Sequence, residues 1–161
     1  MVGVIDVVEV ASVATHSLRS QALGWAEPTS RLDRDDASHL AVIDGGAIIA
    51  VVSHTSWPYP HDTTTPARYF WAMAVDPLRQ RHGYGRLLLA TVADRARTLG
   101  ERLLWADARQ SAVPFYVACG AHVAEAPPYV DEVTGLLDRR VVFFLDYCDL
   151  RSTWLPLRLP G

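Results

Sequence analysis

The feature that most constrains this chain is the run VDPLRQRHGYGRLLL, at residues 75–89. The apolar run RYFWAMAV leads into it and predicts a β-strand, which Asp76-Pro77 ends because proline has no amide hydrogen for a sheet ladder. A helical pattern begins around Gly83 and Gly85, which stand two residues apart. Glycine lets a backbone approach a ligand closely, and the first turn of a helix offers free N–H groups and a partial positive charge. The run therefore predicts an anion site, most naturally for a phosphate or pyrophosphate.

Two common phosphate loops do not fit this run. The dinucleotide fingerprint needs a third glycine, which GYGRLL at 83–88 lacks, and the P-loop needs lysine followed by serine or threonine, which does not follow these glycines. The pattern that remains is [Q/R]-x-x-G-x-[G/A], placed after a strand and at the start of a helix. Residues 75–88 thus resemble motif A of the GNAT superfamily, the acyl-CoA-dependent N-acyltransferases.

Length, composition, net charge and cysteine count restrict the class of protein. The chain has 161 residues, half of them hydrophobic and a fifth charged, which favours one domain over 1–161 with a tail at 149–161. A net charge of −3 gives no reason to expect nucleic-acid binding. The N-terminus lacks the basic segment of a signal peptide, and no apolar run approaches the ~20 residues of a membrane span. The two cysteines, Cys119 and Cys148, lack metal-ligand spacing, so we expect free thiols and a cytoplasmic protein.

Periodicity and turn residues predict a mixed order of strands and helices. The clearest local signal is a hairpin, in which β-prone runs at 39–43 and 47–54 flank a turn that starts at Asp44-Gly45. The other expected elements are strands at 2–10, 68–75, 102–108, 121–126 and 140–147, helices at 11–24, 83–99 and 111–120, and loops at 56–66 and 127–138. Ser111 is the expected cap of the last helix. This order indicates a mixed α/β sheet.

The same order resembles the GNAT fold from about residue 38 to residue 147. The resemblance implies an α/β architecture with a central twisted mixed β-sheet of about six to seven strands, flanked by helices. It also implies that the fourth and fifth strands splay apart, and that acetyl-CoA enters there as co-substrate. The early segment at 25–36 either shapes the acceptor site, as early helices do in the family, or is a solvated loop.

The resemblance assigns the cofactor site mainly to backbone groups. In the family, amides of the loop and of the first helical turn hold the pyrophosphate. The corresponding positions here are Gln80, Arg81, His82, Gly83, Tyr84, Gly85 and Arg86. The end of the preceding strand, at Met73, Ala74 and Val75, is expected to contact the pantetheine arm, with the Val75 amide polarising the thioester carbonyl. The alternative for the loop is a glycine-rich turn without a ligand.

Tyr116 is the strongest candidate for a catalytic side chain. The segment AVPFYVACG at 112–120 resembles the family's A-x-x-[F/L]-Y-x-x-x-G, in which the tyrosine lies near the cofactor sulfur. The resemblance implies that Tyr116 acts as general acid to the leaving thiolate, since a phenol of pKa near 10 can donate to a thiolate of pKa near 8.5. The alternative is a half-buried aromatic side chain on an amphipathic helix.

Three positions depart from the family pattern. Arg109 stands where the family often has asparagine, so a hydrogen bond to the pantetheine arm is either absent or made by Arg109 instead. Ala121 replaces a frequent phenylalanine. The strand at 68–75 has no carboxylate, although many members carry a glutamate there as a route for the amine's proton. The general base is therefore open among His54, His61, Asp62, Asp76, Asp107 and Glu132. No metal is expected, because His82 has no second ligand at metal spacing.

These observations predict a cytoplasmic N-acetyltransferase in which a primary amine attacks acetyl-CoA directly in a ternary complex. Neither cysteine has the surroundings of an activated nucleophile. One alternative is an acyl-CoA-binding sensor or scaffold of the same fold without catalysis, and another is a different phosphate-ligand protein such as a nucleotide binder. The acceptor stays open among a small amine, an amino acid, an aminoglycoside-like antibiotic and a protein N-terminus or lysine. A homodimer through the apolar strand at 141–145 is possible, and neither nucleic acid nor a membrane is an expected partner.

Overall fold

The computed structural model describes residues 4–150, which form one mixed sheet with helices on both faces. The strands are β1 (Ile5–Val10), β2 (Ser38–Asp44), β3 (Ala47–Ser56), β4 (Ala67–Val75), β5 (Leu103–Arg109), β6 (His122–Val123), β7 (Tyr129–Val130) and β8 (Leu137–Phe144). The helices are α1 (His16–Leu23), α2 (Tyr84–Thr98) and α3 (Val113–Ala118), with short 3₁₀ turns at Ser12–Thr15 and Gln110–Ala112. The sheet order is β1-β2-β3-β4-β5-β8-β6, with β7 also paired to β8. The expected α/β class is confirmed.

The predicted hairpin is confirmed between β2 and β3. Gly45 and Gly46 form its two-residue turn, with φ of 58° and 83°. Two successive left-handed residues define the turn type whose twist matches that of paired strands, and glycine adopts them without steric cost. The hairpin sets the register of the first half of the sheet.

Alternation along the strands divides the core into two faces. On the α2 face, which also receives α3, the core includes Phe70, Leu88 and Phe143. On the opposite face, one cluster lies beneath α1 and a second, aromatic cluster is built around Tyr69 and Trp105. A side chain therefore reaches one face or the other according to its register.

The strands β4 and β5 separate beyond a short paired segment. They pair in parallel only from Ala67 with Leu103 to Tyr69 with Trp105, although both strands continue for several more residues. A bulge in β4 accompanies the separation, because Ser53 pairs with Trp71 and Val51 with Ala74. Ala72 lies in this bulge with φ of 52°. The expected splay between the fourth and fifth strands is confirmed; we call this opening the β4–β5 gap.

The segment after α1 is tied to the sheet through one buried arginine. The guanidinium of Arg19 is fully buried and donates to the Asp33 carboxylate at 2.5 and 2.8 Å and to Ser53 Oγ at 2.8 Å. It also donates to the carbonyl of Pro28 at 2.9 Å. This part of the 25–36 segment is therefore held against the opposite face, although it forms no helix.

Several element boundaries differ from expectation. Helix α3 begins after a 3₁₀ turn at Val113 with no side-chain cap, so the expected Ser111 cap is wrong. The expected polar loop at 127–138 contains β7, and β8 begins at Leu137, three residues early, because it pairs with β7 as well as with β5. The tail expected at 149–161 lies outside the described residues from 151 onward. Within residues 4–150, no helix is long and apolar enough to span a membrane.

Candidate active site

The loop between β4 and α2 presents backbone N–H groups at the surface. Arg81 and Gly83 have left-handed backbones, with φ of 66° and 87°, and such conformations turn neighbouring amides toward a common side. Within residues 4–150, the amides of residues 81–85 donate to no protein acceptor. Gln80, Arg81 and His82 are exposed. The loop thus has the accessible amides that an anion site at the start of a 15-residue helix requires.

Gly85 allows close packing at the start of α2. It is buried in the first turn of α2, and a Cβ there would lie 3.2 Å from Phe115 Cζ and 3.4 Å from Met73 Sδ. The absence of a side chain therefore lets α2 settle against α3 and the end of β4. The two glycines have separate roles, since Gly83 provides the left-handed turn that starts the helix.

The charged side chains of the loop differ in how they are held. Arg79 forms a salt bridge with Asp44 at 2.7 Å, which ties the loop to the β2–β3 hairpin. Arg86 donates to the Ala118 carbonyl at 3.3 Å, near the negative end of α3. The ring of His82 folds back on its own loop, with Nδ1 2.9 Å from the Gln80 carbonyl oxygen. The Arg81 side chain stays exposed beside the amides.

The end of β4 borders the β4–β5 gap. Ala74 and Val75 pair with β3 on one side, Met73 lies in the bulge just before them, and none of the three pairs with β5 on the other side. Ala74 is buried toward α1, whereas Met73 and Val75 pack against the core of the α2 face. The strand therefore offers a backbone edge toward the gap, directly before the loop of accessible amides.

Tyr116 lies beneath the start of the gap on the α2 face. Its ring contacts that of Phe70 with centroids 5.6 Å apart, and Phe70 is the first residue of β4 beyond the last β4–β5 pair. Phe115 packs on the other side at 5.1 Å. Burial raises the pKa of the Tyr116 hydroxyl well above its usual value, with a smaller contribution from Cys119. The phenol therefore stays protonated, as a proton donor must.

Arg109, the last residue of β5, lies on the face of the sheet opposite α2. By strand alternation it shares that face with Trp105 and Asp107, and it stands across from Asp138 of β8. Its guanidinium contributes to the electrostatics of Asp138, whose pKa it lowers in opposition to the burial that raises it. The structure therefore groups Arg109 with a polar cluster that the sequence did not indicate.

Most of the general bases considered from sequence are engaged elsewhere. Asp62 accepts hydrogen bonds from Thr64 and Thr65 within the Pro-rich loop, and Asp76 accepts one from the Leu78 amide. Asp107 forms a salt bridge with Arg140 at 2.9 Å. His61 and Glu132 are exposed on loops.

His54 is buried among charged partners on the α2 face. Arg68 Nη1 lies 3.0 Å from His54 Nδ1, and the same guanidinium binds Glu101 at 2.7 Å and Ser56 Oγ at 3.0 Å. Burial and the charge of Arg68 lower the pKa of His54 to about 3. This network joins the end of α2 to β3 and β4, so its geometry is that of a structural link.

Sequence reasoning missed three residues that the register brings together on the opposite face. They are Tyr69 of β4, Tyr129 of β7 and Asp138 of β8, in line with Asp107 of β5. The sequence predicts a loop for the segment that contains Tyr129 and Asp138, and no local pattern indicates that β7 and β8 pair. These residues come together only through the register of the paired strands.

One cavity of the molecule lies apart from the gap. A cavity of about 150 Å³, lined by Asp62, Arg102, Phe144 and neighbouring residues, opens at the other end of β5. Among residues 4–150, no three His, Cys, Asp or Glu side chains are grouped so that they could hold a metal ion.

Comparison with known proteins agrees with this architecture. A model of the acetyltransferase (GNAT) family matches residues 6–121. No curated protein matches the chain in sequence. Similar solved structures include FeeM, an N-acyl amino acid synthase from uncultured soil microbes, at a TM-score of 0.74 and 10% identity over 95% of both chains.

Two further structures resemble the chain in fold. The ribosomal-protein-S18-alanine N-acetyltransferase from Escherichia coli has a TM-score of 0.65 and 19% identity, over 88% of this chain and 94% of the other. A chimera of the spermidine N-acetyltransferase SpeG from Vibrio cholerae with hSSAT has a TM-score of 0.63 and 17% identity, over 88% and 96%. At such identities the likeness concerns the fold alone.

Proposed function

The chain belongs to the acetyltransferase (GNAT) family, and from this membership we propose that it transfers an acetyl group from acetyl-CoA to a primary amine. The observation that supports this most strongly is the pair formed by the loop and the β4–β5 gap. Amides at residues 81–85 that donate to no acceptor within residues 4–150 come shortly after a strand end that is not paired with β5. Free amides at the start of a helix can bind a phosphate group, and an unpaired strand edge can bind an extended chain. A ligand in which a phosphate is joined to an extended arm would therefore fit both parts.

The residues present fit acetyl-CoA in chemical type. The amides of Arg81 to Arg86 would hold the pyrophosphate, with the exposed cation of Arg81 beside them. Met73, Ala74 and Val75 would supply backbone partners for the pantetheine arm in the gap. When bound, acetyl-CoA supplies an activated acetyl group as a thioester.

Two protein groups would act on the reacting atoms. The Val75 amide would stabilise the negative charge that develops on the carbonyl oxygen as the amine attacks. Tyr116, held protonated by burial, would donate its proton to the departing sulfur. The raised pKa makes Tyr116 a weaker acid than a free phenol.

The transfer is direct, with no acyl-cysteine. Burial raises the pKa of the thiols of Cys119 and Cys148, so both are protonated at neutral pH and are poor nucleophiles. Cys119 is also almost wholly buried. Both cysteines are free, which suits the reducing cytoplasm as the site of action.

The names of similar proteins guide the choice of acceptors. They name an amino acid product, the alanine of a ribosomal protein, and spermidine. We therefore infer that the acceptor is a primary amine of a small molecule or of a peptide, and that free phenylalanine, an alanine-terminated peptide and spermidine are the amines to test first.

Isothermal titration of the purified protein with acetyl-CoA tests the cofactor assignment, and release of free thiol in the presence of the three amines tests the transfer. We expect saturable binding and amine-dependent thiol release. Absence of binding at millimolar acetyl-CoA would refute the proposal. Binding without thiol release would instead favour a non-catalytic acyl-CoA sensor of the same fold.

A further inference from the structure

The face opposite α2 carries a polar cluster beside the β4–β5 gap. Asp107 and Asp138 lie on neighbouring strands, since Asp107 stands opposite Arg140 and Asp138 opposite Arg109. Tyr129 pairs with Asp138 from the other side of β8. Three strands, β5, β7 and β8, therefore bring these side chains together on the face of the sheet opposite α2 and α3.

Tyr69 connects this cluster to the gap. It belongs to the last pair before β4 and β5 separate. Its pKa is raised mainly by burial, and further by Asp107, Tyr129 and Asp138, so its hydroxyl lies within electrostatic reach of both carboxylates. Groups bound in the gap above Tyr69 would therefore meet the cluster.

The two carboxylates of the cluster differ in their partners. Asp107 is neutralised by Arg140, whose guanidinium also lies 5.1 Å from the Trp105 ring centroid. Within residues 4–150, no salt bridge or hydrogen bond engages the carboxylate of Asp138. It is partly buried, and that burial, followed by the charges of Asp131 and Asp107, raises the pKa of Asp138 to about 6 against the opposing effect of Arg109. Asp138 is thus the carboxylate of the two that has no cationic partner at bonding distance among residues 4–150.

Direct transfer needs a group of this kind. An amine is protonated at neutral pH and must lose a proton before its lone pair can attack, yet β4 contains no carboxylate. The ring of Tyr69, which is only partly buried, lies on the same face beside the gap, and such rings bind ammonium groups through their electron-rich faces.

Resting on the function proposed above, we propose that Asp138 binds the ammonium group of the acceptor and takes its proton. The proton passes from nitrogen to the Asp138 carboxylate, directly or through one water. The freed lone pair forms the C–N bond, the C–S bond breaks with its electron pair going to sulfur, and sulfur receives the Tyr116 proton. Asp138 then releases its proton to solvent, the acylated nitrogen loses its second proton to water to give the neutral amide, and Tyr116 regains a proton from solvent.

The test compares Asp138→Asn with wild type, using spermidine, an alanine-terminated peptide and free phenylalanine as acceptors. The variant should lower kcat/KM for the best amine by about 100-fold or more, the usual effect of losing a general base. Wild-type kcat/KM should fall as the pH drops below about 6, and the variant should lose that inflection. Asp138→Glu should restore part of the rate together with a low-pH inflection.

Two further readouts separate catalysis from structure. The affinity for acetyl-CoA should not change. The pKa of Asp138 is higher in the folded protein than in the unfolded chain, so ionisation of Asp138 above pH 6 destabilises the fold. The Asp138→Asn variant should therefore melt at the same temperature as wild type or at a higher one. Asp146→Asn, which removes an exposed carboxylate paired with Arg102, is the matched control and should leave kinetics and pH profile unchanged.

The outcomes distinguish this proposal from the one on which it rests. A wild-type protein that does not bind acetyl-CoA, or that acetylates none of the three amines, overturns both. A wild-type protein that is active, together with an Asp138→Asn variant of equal rate and unchanged pH profile, overturns the role of Asp138 alone. A variant that melts lower or binds acetyl-CoA more weakly assigns Asp138 a structural role and overturns the proposal too.

Discussion

The two faces of the sheet around the β4–β5 gap are built in different ways. On the α2 face, the candidate cofactor site comes from consecutive residues, 73–75 and 81–86, and depends mainly on backbone groups. On the opposite face, the cluster of Tyr69, Asp107 and Asp138 comes from separate strands and depends on side chains. The candidate cofactor site is therefore formed by one local loop and strand end, whereas the cluster around Asp138 is formed by the pairing register of separate strands.

The faces also differ in how their charges are satisfied. Arg68, Glu101, Ser56 and His54 bond to one another on the α2 face, and the two ions of that network are almost wholly buried. Asp138 on the opposite face is only partly buried and is left without a cation at bonding distance among residues 4–150. The Arg68–Glu101 pair therefore supports the fold, whereas the Asp138 carboxylate is left for the chemistry proposed above.

The largest expected effect concerns this contrast in stability. Glu101→Gln removes one partner of a buried ion pair, so it should lower the free energy of unfolding by about 3–5 kcal/mol. Asp138→Asn makes the same chemical change on the opposite face and should cause no loss. Urea unfolding of both variants measures the difference. Equal destabilisation would mean that the two carboxylates have the same role.

The contrast between a local loop and long-range strand register also explains which features of the fold and of the candidate site could be predicted from the sequence. The hairpin at Gly45-Gly46 and the loop before α2 follow from local residue patterns, and the resemblance of residues 38–147 to the GNAT fold implied the splay of β4 and β5. The role of Gly85 could not be foreseen, because it depends on Phe115 and Met73, which are distant in the sequence.

The cluster around Asp138 was hidden for a related reason. The segment 127–138 is polar and contains Gly135, which indicates a loop, whereas pairing with a neighbouring strand makes Tyr129 and Val130 a strand. Long-range pairing overrides local preference in sheets. Side chains that meet only through register leave no signal in a single sequence.

The next effect in size tests catalysis on the α2 face. Tyr116→Phe should lower kcat by about 100-fold, because the departing sulfur loses its proton donor. Its affinity for acetyl-CoA should stay the same, since the ring contacts with Phe70 and Phe115 are kept. Steady-state kinetics and titration of the same sample measure both. An unchanged kcat would remove the acid role from Tyr116 and leave the chemistry to the opposite face.

A smaller effect concerns the pH dependence of stability. His54 is neutral in the folded protein because its pKa is lowered to about 3, whereas in the unfolded chain it takes up a proton near its ordinary pKa of 6.5. Stability should therefore be complete above pH 6.5 and fall toward pH 3, by at most about 1.4 kcal/mol per pH unit from this group.

The matched variant for His54 is His54→Asn, whose side-chain oxygen can still accept the hydrogen bond from Arg68. Its unfolding free energy should fall less steeply with acid than that of wild type, in urea titrations at several pH values. An identical slope would show that the acid sensitivity of the α2 face arises elsewhere.

The smallest effect separates backbone from side chain within the loop itself. Gly83→Val forces a β-branched residue into a backbone with φ of 87°, which costs about 1–2 kcal/mol and should weaken acetyl-CoA binding about tenfold as the amides turn away. Arg81→Ala removes an exposed side chain but keeps the amide, so it should weaken binding only about two- to threefold. Titration calorimetry of the two variants gives both ratios. If Arg81→Ala proved the more damaging, the cofactor site would depend on side chains as the opposite face does, and the contrast between the faces would disappear.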